Sequence, residues 1–156
     1  MTPYYRLIWL MPAAFACHIL EEYVGGFPAW VTHVVGGSMS APMFLVNNAF
    51  FMVVLLVLTA WSAIARTTAA NATLIAWASA NLFWDFLFHL GTVPFFNRYS
   101  PGVVTATLLY FPISVAVAWA ALTQKALSPR AFTLSCAVGF ALMGFVIWAG
   151  LYHFAF

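Results

Sequence analysis

The chain has 156 residues, of which 65% are hydrophobic and only 5% charged, with a net charge of +2 and a mean hydropathy of +1.00. A soluble domain carries roughly 25% charged residues, so this composition excludes a water-facing surface and predicts an integral membrane protein. The few scattered positive charges argue against a nucleic-acid partner, and Cys17 and Cys136, which lack CxxC spacing, do not indicate a disulfide framework.

A membrane helix needs about 20 mostly apolar residues, and five runs qualify, at roughly 5–24, 41–65, 69–92, 102–124 and 131–155. The start resembles a signal peptide, with Arg6, an apolar stretch and Ala14-Phe15-Ala16. His18, Glu21 and Glu22 directly after it would be odd in a discarded segment, so we read it as the first membrane helix. Gly25-Gly26-Phe27-Pro28 ends that run. The link over 25–40 is apolar and glycine-rich, and is expected to dip back as a lid carrying His33 or to rest at the interface anchored by Trp30. Arg66-Thr67-Thr68, Asn97 to Gly102 and Leu127 to Arg130 punctuate the later runs. The expected fold is all-α, a single domain over residues 1–156 built as a compact bundle of five transmembrane helices. Arg6, Arg66, Lys125 and Arg130 fall on one side and only Arg98 on the other, which predicts a cytoplasmic N-terminus. The expected location is the bacterial inner (plasma) membrane, multi-pass.

All three acidic residues lie inside these runs. Glu21 and Glu22 follow His18 in the first, and Asp85 lies four residues before His89 in the third. Ionisable groups at such depth usually face a bundle interior and carry function. His18 to Glu22, the Asn81, Asp85, His89 series, Asn47, Asn48, Thr105, Thr107, Tyr110 and His153 all come out in the outer half of the bilayer when depth is counted at about 1.5 Å per residue. The inner half is expected to hold little beyond small hydroxyls and Cys136. The Asn71-Ala72-Thr73 sequon falls on the wrong side for glycosylation and is taken as chance.

Residues three and four apart share a helix face. His18 therefore sits beside both glutamates, which themselves diverge by about 100°, and Asn81, Asp85 and His89 form an i, i+4, i+8 stripe. Imidazole and carboxylate together suit zinc, iron or manganese, and such stripes on facing helices are how bundle proteins hold metals. Buried carboxylates remain ionised if a divalent cation sits among them. The expected metal ligands are His18, Glu22, Asp85 and His89, with Glu21, Glu22 and Asp85 as catalytic carboxylates. Asn48 (or Asn47), Asn81, Tyr110 and His153 are possible additions. The bland alternatives are His–carboxylate pairs that hold helix register and asparagines acting as interhelical glue. Haem held by two histidines would leave the three carboxylates without a role.

The run His18-Ile19-Leu20-Glu21-Glu22 resembles the signature of the HXXEE-motif family of small polytopic membrane proteins, complete over its five residues. The resemblance implies a membrane enzyme with metal-binding character and gives His18, Glu21 and Glu22 to its site. The intramembrane CAAX-type proteases also begin with paired glutamates, but Gly26 stands where their arginine belongs and Asp85 where phenylalanine should precede His89.

The reading is a membrane-embedded, metal-dependent enzyme on a lipid-like or isoprenoid-like substrate, with hydrolase, isomerase/cyclase and oxygenase chemistry all open. Its partners are membrane lipid and a hydrophobic small molecule. The rival readings are a proton or metal-ion transporter or channel using the same carboxylates, and a non-enzymatic membrane subunit.

Overall fold

Hydroxyl side chains at the breaks set where the helices begin. Ser40 Oγ accepts from the Met43 N–H at 3.3 Å, Thr67 Oγ1 from Ala70 N–H at 3.2 Å and Ser128 Oγ from Ala131 N–H at 3.2 Å. Each satisfies a donor that a first turn leaves orphaned. Pro42 and Pro129 occupy first-turn positions where no N–H is required. A computed structural model describes residues 3–153, with side chains through residue 150. Its helices are α1 (Pro3–Val24), α2 (27–35), α3 (Ala41–Ala65), α4 (68–96), α5 (Val103–Thr123) and α6 (Pro129–Gly150), the last running on as a π-turn to His153. No strand occurs among the described residues.

Helix α1 breaks at Ile8–Trp9. Pro12 has no N–H to offer the Ile8 carbonyl, which instead accepts from Met11 N at 3.2 Å, a tighter turn than the α-helix makes. The break turns Tyr4, Ile8, Met11 and Phe15 inward, where they pack with Leu74 and Leu82 of α4 and Tyr110, Val117 and Ala121 of α5. Helix α4 is the central element, with α3 and α6 both packed on it. A Cβ on Gly139 of α6 would collide with Ser79 Oγ of α4, so only glycine permits that close approach. A smaller cluster, Phe27, Trp30 and Val31 of α2 with Phe44 of α3, covers the other end of the bundle.

Among the described residues four helices, α1, α3, α5 and α6, are long and apolar enough to cross a membrane, against the five expected. The third expected span is helical over its whole length but less apolar, because α4 carries Asn71, Asn81, Asp85 and His89.

The end of the bundle expected to lie in the inner half is more polar than the sequence suggests. Asn71, buried at the start of α4, accepts from Ser62 Oγ at 2.7 Å and donates to Tyr5 OH at 3.3 Å and to the Ala126 carbonyl at 3.0 Å. One amide thus ties α1, α3, α4 and the α5–α6 turn together. Arg66 lies over the Tyr5 ring, 5.3 Å from its centroid, and the Tyr4 N–H donates to Gln124 Oε1 at 3.1 Å at the same end. The sequon asparagine is therefore a buried structural residue. Asn71→Ala should destabilise the bundle by about 1–3 kcal/mol, the cost of stranding buried polar partners. Reversible unfolding in mixed detergent micelles measures this.

Candidate metal centre

Two π-turns, Ser79–Trp84 in α4 and Ala106–Tyr110 in α5, flank the site. Such turns widen the helix locally and are frequent at functional sites. The first carries Asn81, whose Nδ2 donates back to the Trp77 carbonyl at 2.8 Å and whose side chain lines the same cavity as Asp85.

Four ligand-type atoms from α1 and α4 meet. His18 Nε2 is 3.6 Å from Glu22 Oε1 and 3.1 Å from Asp85 Oδ2; His89 Nε2 is 3.4 Å from Glu22 Oε1 and 3.6 Å from Asp85 Oδ2. Nitrogen and oxygen therefore alternate around a ring. Both Nε2 atoms are buried without a hydrogen-bond partner. His18, Asp85 and His89 each offer an atom within 4.8 Å of the other two. The two imidazole rings meet edge-on with centroids 4.9 Å apart, and the Tyr110 ring tilts against His18 at 4.4 Å. Tyr110 OH is buried and has no hydrogen-bond partner.

The outer ring nitrogens are held from the loop that enters α5. His18 Nδ1 lies 3.0 Å from Thr105 Oγ1, and His89 Nδ1 lies 2.9 Å from Ser100 Oγ, which also contacts Thr92 Oγ1 at 3.1 Å. Gly102, at φ +105°, roofs the cluster. A Cβ there would stand 2.7 Å from His18 Cε1, 2.8 Å from His89 Cε1 and 3.0 Å from Glu22 Cγ.

Glu21 does not join the four. Its Oε1 accepts from Tyr99 OH at 2.5 Å, Gly102 N at 3.2 Å and Val104 N at 3.1 Å, and its Oε2 from Thr105 N at 2.6 Å and Thr105 Oγ1 at 2.5 Å. This carboxylate caps the first turn of α5, where anionic charge is favoured. Partial burial and then the Glu21 carboxylate push the Tyr99 phenol up to about 12, so it stays a donor through the neutral range.

Glu21 also fixes a proton. Its oxygens accept from N–H groups, so the Thr105 hydroxyl hydrogen points to Oε2 and Thr105 Oγ1 must accept from His18. His18 therefore carries a hydrogen on Nδ1, and in the neutral ring that a metal ligand requires, Nε2 turns its lone pair toward the Asp85 and Glu22 oxygens. A bare nitrogen facing carboxylate oxygens at 3.1–3.6 Å repels them unless a cation lies between. Donors about 2.0–2.2 Å from a tetrahedral ion stand about 3.3–3.6 Å from one another, close to the four nitrogen–oxygen separations, and the set in which every atom lies within 4.8 Å of the rest is His18, Asp85 and His89, with Glu22 at its edge. Two carboxylates and two neutral imidazoles also balance one divalent charge, so the donor set fits zinc, manganese or iron(II).

Beside the four atoms lies a cavity of about 700 Å³. His18, Glu22 and Asp85 form part of its wall, and among the four the Asp85 side chain is the most exposed, at 18%. Asn47, Asn48 and Asn81 add polarity; Asn48 Nδ2 donates to the Phe44 carbonyl at 3.0 Å, so its oxygen is left to accept. Phe27 of α2 borders the cavity and lies 5.8 Å from the His89 ring, so the 25–40 segment does cover the site. His33, on α2, is exposed and outside the wall. The His153 side chain lies outside the described residues. The sequence reading missed Thr92, Ser100 and Gly102, for which Ser100-Pro101-Gly102 gave only a turn signal.

Gly102→Ala should displace both imidazoles and so lower the metal content of the purified protein below that of Gly91→Ala, which has open space around its Cα. Elemental analysis of the two purified variants separates these outcomes.

A family model described as protein of unknown function with HXXEE motif matches residues 9–117. No curated protein and no solved structure matches the chain. The matched stretch includes His18, Glu21, Glu22, Asp85, His89 and the loop that buttresses them, and stops short of α6. Motif, match and site thus coincide, and the chain belongs to the HXXEE-motif family of proteins of unknown function.

Proposed function

We propose that the protein is a multi-pass membrane enzyme that uses one divalent metal ion, held by His18, Glu22, Asp85 and His89, to transform a lipid-like or isoprenoid-like substrate. The observation that carries this reading is the ring of four donor atoms, in which the buried His18 and His89 Nε2 atoms have no hydrogen-bond partner. A lipid environment is supported by the outward faces, where Leu20, Val24, Val46, Phe50, Ile64 and Trp119 are exposed. So much exposed apolar surface is unusual for a water-soluble monomer. On the same reading α4 is the fifth span, shielded by its neighbours, and the cationic end marked by Arg6, Arg66, Lys125 and Arg130 is cytoplasmic.

A bound divalent ion would polarise a substrate oxygen or lower the pKa of a bound water. The residues divide the remaining work. Asp85 is the carboxylate that reaches the cavity, so we assign it proton transfer. Glu21, expected from sequence to act as acid or base, is occupied by five donors and is given a positioning role instead. The amide oxygens of Asn48 and Asn81 can accept from a substrate hydroxyl. Substrate access is favoured between α3 and α6, which line the cavity with Met43, Val46, Met143 and Val146 and pack on α4 rather than extensively on each other.

A conduction pathway is less well supported. All three acidic residues lie at one end of the bundle, and Met11, Phe15, Leu74 and Leu82 fill the space between them and Asn71.

The test is elemental analysis of protein purified in mild detergent beside a His18→Ala, Glu22→Ala variant. Wild type should hold about one ion per chain, as the donor set of one site requires, and the variant essentially none. Equal metal in both would remove the site. Metal-loaded protein in nanodiscs should then convert a component of bacterial polar lipid extract, read by mass spectrometry, and Asp85→Asn should abolish this while keeping the fold. Ion flux from liposomes without turnover would favour the transporter.

A further inference from the structure

The two histidines are held differently. His18 Nδ1 donates to Thr105 Oγ1, whose own hydrogen goes to Glu21 Oε2 at 2.5 Å, so the chain of hydrogen bonds from His18 ends on a carboxylate. His89 Nδ1 meets Ser100 Oγ at 2.9 Å, Ser100 meets Thr92 Oγ1 at 3.1 Å, and Thr92 Oγ1 donates to the His89 carbonyl at 3.0 Å. That second chain closes on the backbone of its own residue and reaches no charge.

A ring nitrogen becomes a better electron-pair donor when the opposite N–H is drawn toward negative charge. We infer that Glu21 is a positioning residue which, through Thr105, locks the His18 proton on Nδ1 and makes His18 the stronger imidazole donor of the centre, leaving His89 the weaker and more readily exchanged one. The inference rests on the metal reading above. It also gives the motif's first glutamate a function. At i+4 from His18, Glu22 shares its helix face and meets its Nε2 side; at i+3, Glu21 reaches past the ring to the start of α5 and acts on Nδ1.

The helix cap and the relay use different atoms, which makes the idea separable from simple fold maintenance. Thr105→Val retains the Thr105 backbone N–H to Glu21 but removes Oγ1. Tyr99→Phe removes a donor to Oε1 and leaves the relay untouched.

Zinc affinity, measured by competition with a chromophoric chelator in detergent, should fall about 10- to 100-fold for Thr105→Val, the usual effect of losing a ligand's outer partner. Thr105→Ser should restore it, Tyr99→Phe should match wild type, and Ser100→Ala should lose less than Thr105→Val. Unchanged affinity in Thr105→Val, or a larger loss in Ser100→Ala, would overturn the inference. Should Thr105→Val not fold, ¹⁵N-histidine NMR of metal-loaded wild type reads the same point: His18 must carry its hydrogen on Nδ1, and an Nε2–H form would end the proposal. Wild type that binds no zinc at all would instead fail the metal reading.

Discussion

The site depends on a repulsion that must be cancelled. Thr105 and Glu21 place a hydrogen on the outer ring nitrogen of His18, so in the neutral ring a lone pair and two carboxylate oxygens confront one another. His18, Glu22 and His89 are largely buried, and unpaired charge in low dielectric is expensive. On the proposed reading a divalent cation would meet this need. The crossing of α1 and α4, the cap on α5 and the roof at Gly102 bring these groups together and keep solvent away from one side.

Much of this geometry follows from five consecutive residues. On one helix, positions i and i+4 supply a nitrogen and an oxygen to the same point, while i+3 turns toward a neighbouring helix. The chain places two adjacent glutamates in opposite roles by rotation alone. Glu22 is almost fully enclosed, and Glu21 accepts hydrogen bonds from a loop. Adjacent carboxylates in a membrane segment need not act as a pair.

The sequence was legible where composition and helical spacing carry the information. The all-α fold, the grouping of His18, Glu22, Asp85 and His89, and a covering 25–40 segment could be anticipated, because scarce ionisable residues in greasy runs must meet to be tolerated, although four rather than five helices proved apolar enough to span. Three features could not. The π-turn at Ser79–Trp84 has no signature in its residues, so the widening of α4 beside Asn81 and Asp85 was not foreseen. Glu21 read as a free acid because its five donors come from residues some 80 positions away, joined to it only by tertiary packing. Asn71 looked incidental because its partners are a tyrosine, a serine and a carbonyl with no spacing relation to it.

The widened turn at 79–84 has a further bearing on how such a protein can vary. It changes the face of α4 through the length of a single turn rather than through any one side chain. Loss of one residue would restore an ordinary helix and rotate Asp85 and His89 by about 100°, turning them away from His18 and Glu22. Chain length in that turn therefore sets whether the side chains of α1 and α4 can meet at all.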